Sequence, residues 1–132
     1  MIYKKSWKYI LIKDNTNFCI KYHTYRFFRP KALKDFSDVK KGEIGGYVKS
    51  YCNLSQKGNC WVYESAVVSR NGLVTDNAKV SGLVHITDNA KVTENAEVSG
   101  STEICDNVIV TKNAFISNNT ILTGNKIITN DI

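Results

Sequence analysis

The chain has 132 residues, 42% of them hydrophobic and 23% charged, with one proline, eight glycines and a formal charge of +6. That is the size of one domain, and the ordinary charge content excludes a wholly disordered chain or a proline-rich array. No run reaches the ~18 apolar residues of a membrane helix, and the N-terminus MIYKKSWKYILIKDN lacks the apolar stretch of a secretory signal, so a cytoplasmic protein is expected.

Residues 1–45 form a basic, aromatic cap and lead-in segment. Residues 1–57 carry 13 Lys or Arg against 4 Asp or Glu, a net of +9. SWKYILIK, then DNTN, then FCIKYHTYRFF reads as a β-hairpin with its turn at Asp14–Asn17. Tyr22, His23, Tyr25, Arg26, Phe28 and Arg29 gather cations and rings in its second half. Such a patch can neutralise phosphate and stack on bases, which makes it a nucleic-acid candidate. The plainer reading is a cap over a solenoid end, with its rings buried and its cations in water. Lys40-Lys41-Gly42 and Gly45-Gly46 mark turns leading onward.

From Gly58 the chain divides into twelve unbroken sixes: GNCWVY, ESAVVS, RNGLVT, DNAKVS, GLVHIT, DNAKVT, ENAEVS, GSTEIC, DNVIVT, KNAFIS, NNTILT, GNKIIT. The fifth position is Val, Ile or Leu in all twelve, the second is Asn in nine, and the sixth is Ser or Thr in ten. The third is small or β-branched in eleven. A helical period drifts off a six-residue register within two turns, whereas six suits strands, whose faces alternate every two residues. Three one-hexad strands joined at corners make an 18-residue triangular coil. The fifth residue fills the core, the small third residue sits inside a corner, and the sixth points outward. Asn at the second position suits a left-handed backbone, which it tolerates better than most residues. The expected fold is an all-β, single-domain parallel β-helix of about 4–5 coils over 46–132, beginning near Gly46. Val48 and Leu54 fall in the third-position phase of the hexads. Residues 58–132 hold 5 basic and 8 acidic residues, so a −3 rod carries a +9 head. Head-to-tail contact between copies is one consequence of that split.

The outward fourth positions are apolar at both ends of the rod and polar between. Trp61, Val67 and Leu73 open it, and Ile109, Phe115, Ile121 and Ile127 close it. Exposed apolar patches mark interfaces, so these last four are the candidate surface for self-association, as dimer or trimer, or for a protein partner. Cys19, Cys52, Cys60 and Cys105 show no CxxC or zinc-ribbon spacing and are read as reduced thiols, with no metal site expected. Walker-type loops, GxSxG elbows and HExxH are absent.

The pattern V-[ST]-x-N-A-x resembles the hexapeptide repeat of left-handed parallel β-helices, and the left hand is taken from that resemblance. The junction ALKDFSDVKKGEIGGYVKSYCNLSQKGNCWVY is similar to the lead-in of the YdcK-type acetyltransferases and their prophage-encoded relatives. The matching positions are Asp35, Phe36, Asp38, Val39, Gly42, Gly45, Gly46, Asn53, Leu54, Ser55, Gly58, Cys60, Trp61 and Val62. The resemblance implies a hexapeptide-type β-helix. It also makes a phage- or prophage-encoded role plain to consider: a non-catalytic binding or oligomerisation module, without cofactor, that binds a host defence protein in the bacterial cytoplasm. That is the leading expectation. The alternative is an acyltransferase using acyl-CoA, with His85 as general base. Against it stand the unbroken register, which leaves no room for an extruded acceptor loop, and a solvated position for His85. Nucleic-acid binding through the hairpin is the third reading, and no membrane partner is expected.

Overall fold

The computed structural model describes residues 6–20 and 23–131. Two long strands, β1 (Tyr9–Ile20) and β2 (His23–Ala32), form an antiparallel hairpin. Short strands follow: β3 (Tyr47–Val48), β4 (Trp61–Val62), β5 (Val67–Val68), β6 (Leu73–Val74), β7 (Lys79–Val80), β8 (His85–Ile86) and β9 (Lys91–Val92). Then come β10 (Glu97–Val98), β11 (Glu103–Ile104), β12 (Ile109–Val110), β13 (Phe115–Ile116), β14 (Ile121–Leu122) and β15 (Ile127–Ile128). They stack into three parallel faces: β4-β7-β10-β13, β6-β9-β12-β15, and β3-β5-β8-β11-β14, the last extended by β2 and β1. This is an all-β solenoid of about five turns, as the hexads predict.

The strands are the fourth and fifth hexad positions throughout. The fifth residues Val62, Val68, Val74, Val80, Ile86, Val92, Val98, Ile104, Val110 and Ile116 are all buried in one column of core. Each outward-reaching backbone N–H donates to a carbonyl one coil on, as Lys79 does to Ala96 at 3.0 Å and Ser81 to Val98 at 2.9 Å. These ladders satisfy the main chain without helix or hairpin.

Three expectations are corrected. The left-handed residue is the first of the hexad, not the Asn. Arg70, Asp76, Asp88, Glu94, Asp106 and Lys112 have φ of 52° to 60°, and Gly58, Gly82, Gly100 and Gly124 share the region. Where the first residue is acidic, hydrogen bonding across coils supports it. Carboxylates at position one accept from the backbone N–H eighteen residues on: Asp76 Oδ2 from Glu94, Asp88 Oδ2 from Asp106, Asp106 Oδ2 from Gly124. The Asn side chains instead stack, Asn71 Nδ2 donating to Asn89 Oδ1 at 3.3 Å and Asn107 Nδ2 to Asn125 Oδ1 at 2.9 Å.

The second correction concerns the first coil. Val48 pairs with Val68 and Leu54 with Val74, so both take the fifth-position role rather than the third. Two additional residues between Leu54 and Val62 absorb the difference. The third is the hairpin. β1 runs through Asp14–Asn17, where the register shifts between Lys13 and Asn17, and its pairing with β2 continues to Ile20 opposite His23. Asp and Asn there serve a bulge rather than the turn.

Candidate functional site

The junction motif comes together as one packed joint. Trp61 is buried under Phe36 and Tyr9, with ring centroids 5.3 and 6.1 Å away. Asp35 Oδ1 accepts from the Lys41 backbone, and Asp38 Oδ1 accepts from the Tyr63 hydroxyl at 2.5 Å. Burial and that carboxylate hold the Tyr63 hydroxyl well above its ordinary pKa. Gly45 and Gly46 lie so close to the Tyr63, Val62 and Ala66 main chain that a Cβ would collide. Buried Asn53 accepts from the Lys49 and Ser50 N–H groups and donates to the Arg70 and Gly72 carbonyls. Asp38, Phe36 and Trp61 join cap to rod, Asp35 braces the cap, and Asn53 ties the first coil to the next, so the motif has an architectural role.

The basic-aromatic hairpin divides. Tyr22 lies outside the described residues, and His23 and Tyr25 are placed only as strand positions of β2. Phe28 pairs with Val48 across the sheet. Arg29 Nε donates to the Gly45 carbonyl and its guanidinium lies 4.7 Å from the Tyr47 ring. Arg26 is exposed, and its carbonyl accepts from Lys49 Nζ. Arg29 thus works within the joint, which favours the cap reading of that cation.

Of the apolar quartet, Phe115, Ile121 and Ile127 are 46%, 66% and 67% exposed, one on each face of the last described coil. Ile109 is half-buried between Lys91 and Ile127.

His85 is not the freely solvated residue of the simplest reading. It is half-buried on β8, between Val67 of β5 and Glu103 of β11. Its Nε2 lies 2.8 Å from Ser69 Oγ, and Ser69 Oγ donates to Thr87 Oγ1 at 3.0 Å. Burial pushes the imidazole below its ordinary pKa, with Glu103 and Asp88 pulling the other way. Arg70 and Asp88, which pair at 3.7 Å, also bear on its charge. The same two residues head a corner groove of about 580 Å³ that runs along Asn71, Asn89, Asp106 and Asn107. Asp88, Cys105 and Asp106 place three ligand-type atoms within 4.8 Å there, but the Asp88 and Asp106 carboxylates already serve Arg70 and the coil ladder. Cys52, Cys60 and Cys105 are free thiols.

The chain is 38% identical over 64 residues to the uncharacterized acetyltransferase YdcK of Escherichia coli (strain K12), a match covering 43% of this chain and 20% of that protein. The aligned part is thus about a fifth of the relative's length. No protein-family model matches the chain. Fold and similarity together fit a hexapeptide-repeat, acetyltransferase-like family.

Two residues that sequence reasoning missed close the cap. Gln56 Oε1 accepts from the Lys8 and Tyr9 N–H groups, and its Nε2 donates to the Tyr9 carbonyl, which plugs the outer edge of β1. Lys8 is buried against Cys60. Neither belongs to a repeat, and their partners lie about fifty residues away. Among the described residues, no helix is long and apolar enough to cross a membrane.

Proposed function

We propose that the protein is an acyltransferase of the hexapeptide-solenoid class, taking its acyl group from acyl-CoA, with His85 as general base. The observation that carries the reading is the setting of His85: half-buried on the solenoid face and hydrogen-bonded to Ser69, with burial lowering its pKa. A neutral imidazole can take the proton of an acceptor hydroxyl or amine as that group attacks the thioester carbonyl. The acyl group passes to the acceptor and the CoA thiol leaves. Ser69 and Thr87 fix the ring. The open corner groove has few walls of its own, and Arg70 is its one cation against Asp88 and Asp106. A second rod packed alongside would supply the missing wall and the positive charge that CoA phosphates require. A thermal-shift titration with acetyl-CoA tests this. Binding at a hundredfold excess over Kd adds about 2.7 kcal/mol, an upward shift of several degrees; no shift at millimolar ligand would overturn it.

The second reading is a non-catalytic module that binds itself or a partner protein. It is favoured by the exposed Phe115, Ile121 and Ile127. Light scattering tests it: the reading expects a dimer or trimer that Ile121→Asp dissociates without unfolding. A monomer at high concentration removes the self-association form.

A further inference from the structure

Cys60 occupies a corner position that Ala78, Ala96 and Ala114 fill in the following coils. A methyl suffices there, yet this coil carries a sulfur, and Lys8 reaches in from the head to meet it. Both side chains are buried. Lys8 Nζ lies 3.3 Å from Cys60 Sγ, 2.7 Å from the Cys60 carbonyl oxygen and 3.3 Å from that of Gly58. The Phe36 ring centroid is 5.1 Å from the amine. Among the described residues no ion pair includes Lys8. A cavity of about 820 Å³ lies on this side of the joint, lined by Trp7, Lys8, Phe36, Gln56, Gly58 and Asn59.

We propose that Lys8 and Cys60 form a redox-sensitive cross-linking pair, closing a sulfenamide S–N bond between head and first coil when hydrogen peroxide oxidises the thiol. The chemistry needs one peroxide. The sulfur attacks a peroxide oxygen, the O–O bond breaks, and the departing hydroxide takes the thiol proton away as water, leaving a sulfenic acid. The neutral amine then attacks that sulfur. The S–O bond breaks, and the second hydroxide leaves as water with an amine proton. Sulfur gives up two electrons, peroxide receives them, and the linked protein is lighter by two hydrogens.

Position favours this path over deeper oxidation, because an amine already at contact distance competes well with further peroxide. Burial lowers the Lys8 pKa, which raises the share of nucleophilic amine. Burial also disfavours the Cys60 thiolate, an effect that Lys8 opposes. The reaction is therefore slower than at an exposed thiol. The inference does not depend on acyl transfer.

The test is peptide mapping by mass spectrometry after treating the folded protein with excess hydrogen peroxide. Exposed Cys52 serves as the internal control for oxidant. The expected product joins the peptide containing Lys8 to that containing Cys60, two hydrogens lighter than their sum, and dithiothreitol separates it. Cys60→Ala, which copies the other coils, is expected to fold and give no link. Cys60 left as free thiol while Cys52 is oxidised would overturn the proposal. So would Cys60 found only as sulfinic or sulfonic acid, or a linked pair that retains an oxygen.

Discussion

Val92 and Lys91 are neighbours with opposite fates. Val92 is fully buried, paired with Val74 above and Val110 below. Lys91 is exposed on the outside of the same strand. Val92→Ala removes two buried carbons, about 0.8 kcal/mol each, and leaves a cavity, for a loss of about 2 kcal/mol. Val92→Asp places a carboxylate where no cation can reach it, at a cost of several kcal/mol, comparable with the ~5–15 kcal/mol that holds a domain together. Coils contact only their neighbours, so a break at this level separates the rod into two halves too short to stand alone. Lys91→Asp should move stability by less than about 0.5 kcal/mol. Urea unfolding followed by circular dichroism measures all three. Equal tolerance at 91 and 92, or the reverse order, would refute the inward and outward assignment.

Gly58→Ala and Gly124→Ala share a positive φ, but only at Gly58 would the new Cβ strike the Asp76 main chain; the first should unfold the lead coil, the second should cost about 1–2 kcal/mol in melting experiments. His85 has its folded pKa below the ordinary 6.5, so the unfolded chain binds its proton more readily. Its contribution to stability is full above about pH 6.5 and is lost as pH falls toward the lowered folded value. His85→Gln should flatten the urea midpoint across pH 7.5 to 5.5, and an unchanged slope contradicts the burial. Gln56→Ala removes three hydrogen bonds from Lys8 and Tyr9, at the entry to β1, worth about 0.5–1.5 kcal/mol each. Hydrogen exchange should then quicken at Lys8 and Tyr9 while the ladder amides of Lys79 and Ser81 keep their protection.

The rod was legible because its rule is local and repeated: Val62 through Ile128 hold one phase, and that phase alone sets strand, core and face. The corner chemistry was harder. Intrinsic tolerance points to Asn for the left-handed backbone, yet Asp76, Asp88 and Glu94 take that conformation, and their carboxylates reach the next coil, a contact eighteen residues away. The phase of Leu54 is hidden for a related reason: nothing in residues 55–60 announces two extra residues except the fit of the rod itself. At the site, His85 was found from residue type and position, but its half-burial depends on Ser69 and Thr87 in adjoining coils. Lys8 and Gln56 were invisible because their partners lie about fifty residues away.

The most direct measurement of the functional claim is release of free thiol from acetyl-CoA in the presence of a panel of amine and hydroxyl acceptors, for wild type and His85→Asn. The account predicts acceptor-dependent release by the wild type and a fall of about 10²- to 10⁴-fold in the variant, with its melting temperature little changed. No release above the uncatalysed rate with any acceptor, or equal rates for both proteins, would contradict it.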